Sequence, residues 1–165
     1  MFLFPVRAAL GPNLEIAVSG GAKLDSNIMQ FFEALGLRVF EGYGLTETSP
    51  ILAANHPGFR REGTVGLPLP GVHVTVRDPN TNAPVPPETE GEICASGPNV
   101  FLRYRHLPKE TEETCFVDET GARTFRTGDL GKFTSEGALV VTGRIKEQLS
   151  EKDRIVFSRI LCFPF

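Results

Sequence analysis

The sequence predicts an α/β segment followed by a β-rich lobe, and three patterns carry that prediction. Two short apolar runs flank a helically spaced stretch between Leu14 and Phe40. Val72, Val74 and Val76 alternate with polar residues. A Thr134-Ser135-Glu136-Gly137 turn separates two strand-like runs between Thr127 and Gly143.

From Leu14 to Val18 the run Leu-Glu-Ile-Ala-Val reads as a strand, closed by the Ser19-Gly20-Gly21 turn. Asp25 or Ser26 suits a helix N-cap, Ile28, Phe31, Phe32 and Leu35 fall at helical spacing, and Gly36 suits the C-terminal cap. Phe31 and Phe32 are read as core packing of that helix. Leu37 to Phe40 is the next strand, which completes a βαβ unit of a parallel sheet.

After Pro57 the character changes. The alternating valines predict a half-buried strand, and Asn80 to Pro87, with its asparagines and prolines, must be a loop. Gly91 to Ala95 is a short strand and Pro108 to Phe116 a surface helix. Thr127 to Gly143 forms a hairpin with Ala138 to Val141 as its return strand. The organisation is thus an α/β lobe over 1–56, a β-rich lobe over 57–142 and a terminal segment over 143–165.

Composition narrows the function. The chain has 165 residues, 41% hydrophobic and 22% charged, with 17 basic against 20 acidic residues and a net charge of −3. No basic stripe marks a nucleic-acid partner. Cys94, Cys115 and Cys162 form no C-x-x-C pair, so reduced thiols are expected rather than a zinc site or disulfide framework. His56, His73 and His106 are solitary and receive no chemistry. The apolar start is interrupted by Arg7 and falls short of the ~20 residues a membrane span needs.

The stretch Glu41 to Pro50, Glu-Gly-Tyr-Gly-Leu-Thr-Glu-Thr-Ser-Pro, holds the chemistry. It follows a predicted strand, where open α/β sheets bind ligands. Gly42 and Gly44 permit close backbone approach to an anion, and Thr46, Thr48 and Ser49 supply hydroxyl donors. Glu47 could hold a magnesium ion that bridges phosphate oxygens, and Tyr43 could stack on a purine. A polar loop with two glycines is the plainer alternative. Thr127-Gly128-Asp129 offers a carboxylate for hydroxyl groups such as those of ribose, or simply a turn cap. Gly143-Arg144-Ile145-Lys146 brings two cations close together, in isolation a solvated charge cluster.

Taken in order, Val18-Ser-Gly-Gly-Ala-Lys-Leu24, Gly42-Tyr-Gly-Leu-Thr-Glu47, Gly91-Glu92-Ile93, Thr127-Gly-Asp129 and Gly143-Arg-Ile-Lys146 resemble the AMP-forming adenylating superfamily. Their wording is most similar to that of long-chain fatty-acid–CoA ligases. The resemblance implies part of the large domain of an adenylate-forming enzyme, with the C-terminal domain missing, so that 1–56 is a partial α/β lobe and 143–165 a hinge with a divergent tail. It implies ATP or AMP, magnesium and coenzyme A as cofactors and co-substrate, and a fatty acid or other carboxylic acid as substrate. Gly21, Glu41, Gly42 and Tyr43 would surround the adenine, with Tyr43 stacking on it. Thr46 would bond the α-phosphate and Glu47 would hold magnesium. Asp129 would take the ribose hydroxyls with help from Arg144, and Lys146 would be the hinge of the catalytic cycle. From the short apolar start and the unpaired cysteines a soluble, cytoplasmic chain is expected, able to rest against a membrane if its acid is lipid-like.

Two departures accompany the resemblance. No Ser/Thr/Gly-rich phosphate loop ending in Pro-Lys precedes Gly20, and past Gln148 Ser150 stands where a lysine is expected while the apolar tail Ile155 to Phe165 bears no family likeness. Two readings follow: a fragment of a working acyl-CoA synthetase, inactive by itself, or a non-catalytic product that serves as a nucleotide-binding remnant or interaction module. With only two strands of the α/β lobe in view, an uncovered strand edge and an uncovered apolar helix face are expected.

Overall fold

A computed structural model describes residues 3–11 and 13–145; Lys146, Cys162 and the divergent tail lie outside the described residues. The elements run α1 (Leu3–Leu10), β1 (Ile16–Ser19), α2 (Ser26–Ala34), β2 (Arg38–Gly44), a 3₁₀ turn (Thr46–Thr48), β3 (Ile51–Ala54) and β4 (Leu67–Pro68). They continue as β5 (His73–Arg77), β6 (Gly91–Ser96), α3 (Pro108–Thr114), β7 (Cys115–Val117), β8 (Arg123–Phe133) and β9 (Leu139–Arg144). No helix among the described residues is long and apolar enough to cross a membrane.

The expected βαβ unit is present. Asp25 caps α2, its carboxylate accepting from the Asn27 amide at 2.8 Å. Gly36, one residue past the cap Leu35, takes φ 73° and ends the helix. The chain returns as β2, parallel to β1 from Ile16↔Arg38 to Ser19↔Glu41.

Strand β2 runs further than the sequence suggests, because Glu41 to Gly44 belong to it rather than to a loop. The 3₁₀ turn then folds the chain back so that β3 pairs antiparallel with β2, Gly42 opposite Ala54 and Gly44 opposite Ile51. A Cβ on Gly44 would lie 1.7 Å from the Pro50 carbonyl oxygen. The tight return therefore requires glycine at 44, whatever ligand lies nearby. β4 pairs with β3 through Ala53↔Pro68 and Ala54↔Leu67, so this sheet crosses the division expected at 56/57.

The second sheet orders β5-β6-β8-β7, with β9 also on β8. β8 is long enough to pair β7 along its first residues and β9 along its last. The helix expected to reach Phe116 stops at Thr114, and Cys115–Val117 pair instead with Arg123–Phe125. Ladder hydrogen bonds to β8 outweigh local helical preference there.

Two buried clusters join the sheets. Leu52, Ala95, Val100 and Phe125 form one, and Ala53, Val76, Ile93 and Leu139 the other. The adjacent β3 residues Leu52 and Ala53 thus each anchor a cluster, and Tyr43 packs against both.

Phe31 departs from the core role expected of it. Met29 and Leu35 are buried and Phe32 is half-buried, but Phe31 is 50% and Ile28 48% exposed. Val18 on β1 is 70% exposed. The uncovered face expected from only two parallel strands is therefore present.

At the far side of the second sheet, buried Arg77 donates to both carboxylate oxygens of Glu119 at 2.8 and 2.7 Å and to the Asn82 carbonyl at 2.9 Å. The guanidinium bonds hold the Glu119 carboxyl down at about 2. Asp118 is likewise held at about 2, first by the Thr120 hydroxyl. Both folded values lie below the unfolded ones, so their stabilisation is complete above the unfolded range and lost as pH falls toward 2. The thermal midpoint of the chain should fall between pH 4.5 and 2, and Glu119→Gln should flatten that slope. An identical slope in the variant would remove Glu119 from the account.

Candidate functional site

Gly21, Glu41, Gly42, Tyr43, Asp129 and Arg144 line one cavity of about 460 Å³. Thr46 and Glu47 do not line it; they follow Leu45, which does, on the 3₁₀ turn at its margin. The cavity opens where the βαβ unit meets the end of the β8–β9 hairpin.

Asp129 is its most constrained group. Sequence places it at a strand start, but it lies inside β8 and is 5% exposed. Gly128 before it takes φ 74°. Buried Glu92 on β6 accepts from the Arg126 guanidinium at 2.8 Å and from the Gly128 amide at 3.3 Å. The Thr127 hydroxyl donates to the Ile93 carbonyl at 2.8 Å and accepts from the Asp129 amide at 3.1 Å. The Thr127 hydroxyl and the Gly128 amide thus tie the approach to the carboxylate to β6, while Asp129 itself pairs with Arg144 on β9.

Both carboxylate oxygens are engaged. Tyr43 Oη donates to Oδ2 at 2.7 Å, and Arg144 Nε donates to Oδ1 at 2.8 Å. Each oxygen keeps a further lone pair for a hydroxyl. Burial, together with the facing Asp129 charge, pushes the Tyr43 hydroxyl well above its ordinary range, so it remains a proton donor. Arg144 is the exposed partner, its side chain 60% accessible against 7% for Asp129.

Glu41 forms the opposite wall. It is 8% exposed, and its carboxylate accepts from the Leu24 amide at 3.3 Å, which tethers the loop after Gly21 to β2. The Gly21 φ of 80° turns that loop toward the cavity.

The segment Glu62–Val65, with Thr142 and Met29, also lines the cavity, and the sequence carried no signal for these residues. They reach the cavity because Val65 and Leu139 are joined across the sheets, the Val65 amide donating to the Leu139 carbonyl at 2.8 Å. Glu92 was visible within Gly-Glu-Ile, but its positioning of Asp129 was not.

On the 3₁₀ turn, Glu47 is half-buried, and its Oε1 accepts from Tyr104 Oη at 2.9 Å. Among the described residues no three His, Cys, Asp or Glu side chains gather around a metal position. One carboxylate suits a cation whose remaining ligands are phosphate oxygens and water, as magnesium prefers, so Glu47 fits that role.

This arrangement defines part of the large domain of an adenylate-forming enzyme. The chain belongs to the AMP-binding enzyme family, which matches residues 4–105. It is 39% identical over 142 residues to the long-chain-fatty-acid–CoA ligase FadD15 of Mycobacterium bovis, covering 86% of this chain and 21% of that protein. Against the oxalate–CoA ligase of Saccharomyces cerevisiae it is 45% identical over 114 residues, covering 68% of this chain and 20% of that one. A crystal structure of a long-chain-fatty-acid–CoA ligase from Archaeoglobus fulgidus superposes with a TM-score of 0.75 at 27% identity, covering 84% of this chain and 31% of that one. The chain therefore spans about a fifth of the length of these curated relatives.

The Tyr43–Asp129 bond makes a direct prediction. Tyr43→Phe keeps the ring but leaves a buried carboxylate oxygen short of a donor. Urea unfolding should show a loss of about 1–3 kcal/mol; an unchanged unfolding free energy would mean the bond contributes nothing net.

Proposed function

We propose that this chain carries the nucleotide-binding centre of an ATP-dependent acyl-CoA synthetase. The enzyme activates a fatty acid as an acyl-adenylate and passes the acyl group to coenzyme A. The observation that carries this reading is the cavity: it gathers Gly21, Glu41–Tyr43, Asp129 and Arg144 from four separate stretches of chain.

In this reading the base lies between the Gly21 loop and Tyr43. The ribose hydroxyls donate to Asp129, which Tyr43 and Arg144 hold in place. The phosphates pass toward the 3₁₀ turn, where Thr46 bonds the α-phosphate and Glu47 holds magnesium, which would neutralise phosphate charge. A carboxylate oxygen of the acid attacks the α-phosphorus, the bond from that phosphorus to the bridging oxygen breaks, and pyrophosphate leaves. The sulfur of coenzyme A then attacks the acyl carbonyl. AMP departs with the electron pair of the broken bond, and the thiol proton passes to solvent. Both steps depend on positioning and charge neutralisation around phosphate oxygens.

The long-chain-fatty-acid–CoA ligases among the relatives support a long-chain acid. The oxalate–CoA ligase at 45% identity supports the joining of an acid to coenzyme A rather than any one chain length. We place the activity in the cytoplasm, on a chain able to meet a membrane surface if its acid is lipid-like. A second reading, a module that binds nucleotide without catalysis, draws on one observation. The expected base and ribose residues line the cavity, whereas the expected phosphate residues lie at its margin.

Calorimetric titration with a non-hydrolysable acyl-adenylate analogue tests the site. Saturable binding is expected, weakened about tenfold or more by Asp129→Ala, since charge-assisted hydrogen bonds to ribose are lost. A folded sample that binds no analogue would overturn the assignment. Acid-dependent ATP–pyrophosphate exchange then separates a catalyst from a module that only binds.

A further inference from the structure

Glu47 is gripped from outside its own strand-turn unit by the segment that follows β6. The Phe101 amide donates to the Glu47 carbonyl at 2.8 Å, and Asn99 Nδ2 donates to the Thr48 carbonyl at 2.8 Å and the Ile51 carbonyl at 3.1 Å. Thr48 closes the turn internally, accepting from the Leu45 amide at 2.9 Å. The backbone of the turn is thus clamped on both flanks before any side chain acts.

Within that segment one side chain reaches the Glu47 carboxylate. The Tyr104 ring packs on Phe101 at 4.6 Å between centroids, and Phe101 in turn meets Phe125 edge-on at 5.2 Å. The Tyr104 amide donates to Thr111 Oγ1 at 3.1 Å, which ties it to α3. Arg123 on β8 donates to the Phe101 and Leu102 carbonyls, each at 2.7 Å, and so holds the segment to the sheet. These contacts aim the phenol hydroxyl, whose donation occupies Oε1 and leaves Oε2 without a hydrogen bond among the described residues.

We propose that Tyr104 is a positioning residue for Glu47, fixing its carboxylate so that one oxygen is presented to the cation bound with the nucleotide phosphates. Packing through Phe101 and Phe125 supplies the rigidity, and the hydroxyl supplies the orientation. A carboxylate held by one charge-assisted hydrogen bond loses fewer rotamers when it meets a cation than one free to rotate. The inference rests on the assignment of Glu47 to the cation. It adds that the β-rich lobe sets the geometry of the phosphate-side carboxylate.

The test is manganese with ATP on this chain. Electron paramagnetic resonance counts bound manganese, and calorimetry gives the affinity for ATP with and without the cation. The readout is the ratio of the affinity for manganese–ATP to that for free ATP. In Tyr104→Phe that ratio should fall about tenfold, the usual cost of losing a group that orients a metal ligand, while affinity for cation-free ATP stays unchanged. A structural role alone would lower both affinities together and would overturn the proposal. Glu47→Gln should abolish the cation preference. If Glu47→Gln abolishes it and Tyr104→Phe leaves it intact, Tyr104 has no positioning role and the Glu47 assignment stands. If Glu47→Gln leaves the preference intact, the Glu47 assignment fails and the role of Tyr104 fails with it.

Discussion

The buried carboxylate of Asp129 is the point on which the two sheets agree. Tyr43 comes from the sheet begun by the βαβ unit, Arg144 from the hairpin of the second sheet, and each takes one oxygen. A charge 93% removed from solvent at its side chain is tolerable only when it is paired and hydrogen-bonded. Giving each oxygen a donor forces β2, β8 and β9 into one arrangement. The cavity is the space that arrangement leaves between the Asp129 wall and the Glu41 wall.

Around this centre the molecule repeats one solution, a buried ion whose partner comes from another strand or turn. Glu92 takes Arg126 and the Gly128 amide, so the strand that carries Asp129 cannot slide against β6. Arg77 takes Glu119, and the guanidinium carbons of Arg77 and Arg126 lie 5.2 and 4.9 Å from the Phe116 ring centre. Phe116 thus links two ion pairs through the favourable contact of cations with an aromatic ring. This explains why Cys115–Val117 form a strand: as a helix, Phe116 would leave both arginines without its ring.

Much of the site was legible because its chemistry needs particular residue types at short spacing. Glycine before a cavity turn, a tyrosine flanked by glycines and an aspartate after Thr-Gly all announce themselves within a few residues. Glu62 to Val65 announce nothing, since their place in the lining depends on the Val65–Leu139 hydrogen bond between distant segments. Tyr104 was equally silent. Its hydroxyl acts on a residue 57 positions away, a separation at which local pattern holds no information. Phe31 misled for a related reason: helical spacing marks an apolar face, but what covers that face depends on the number of strands beneath it.

The sequence by itself determined the local conformations and the chemical inventory: a helix cap at Asp25 or Ser26, the helix end at Gly36, the strand–helix–strand order that follows Leu14, and the carboxylates, hydroxyls and glycines on offer. These follow from sterics and short-range hydrogen bonding, which act among neighbours in the chain. Tertiary structure alone decided that Gly42 and Gly44 lie in a strand, that Asp129 is buried rather than capping a turn, and that the Tyr104 hydroxyl meets the Glu47 carboxylate. Each of these turns on burial and on pairing between remote segments. Such energies exist only once the sheets have closed on one another.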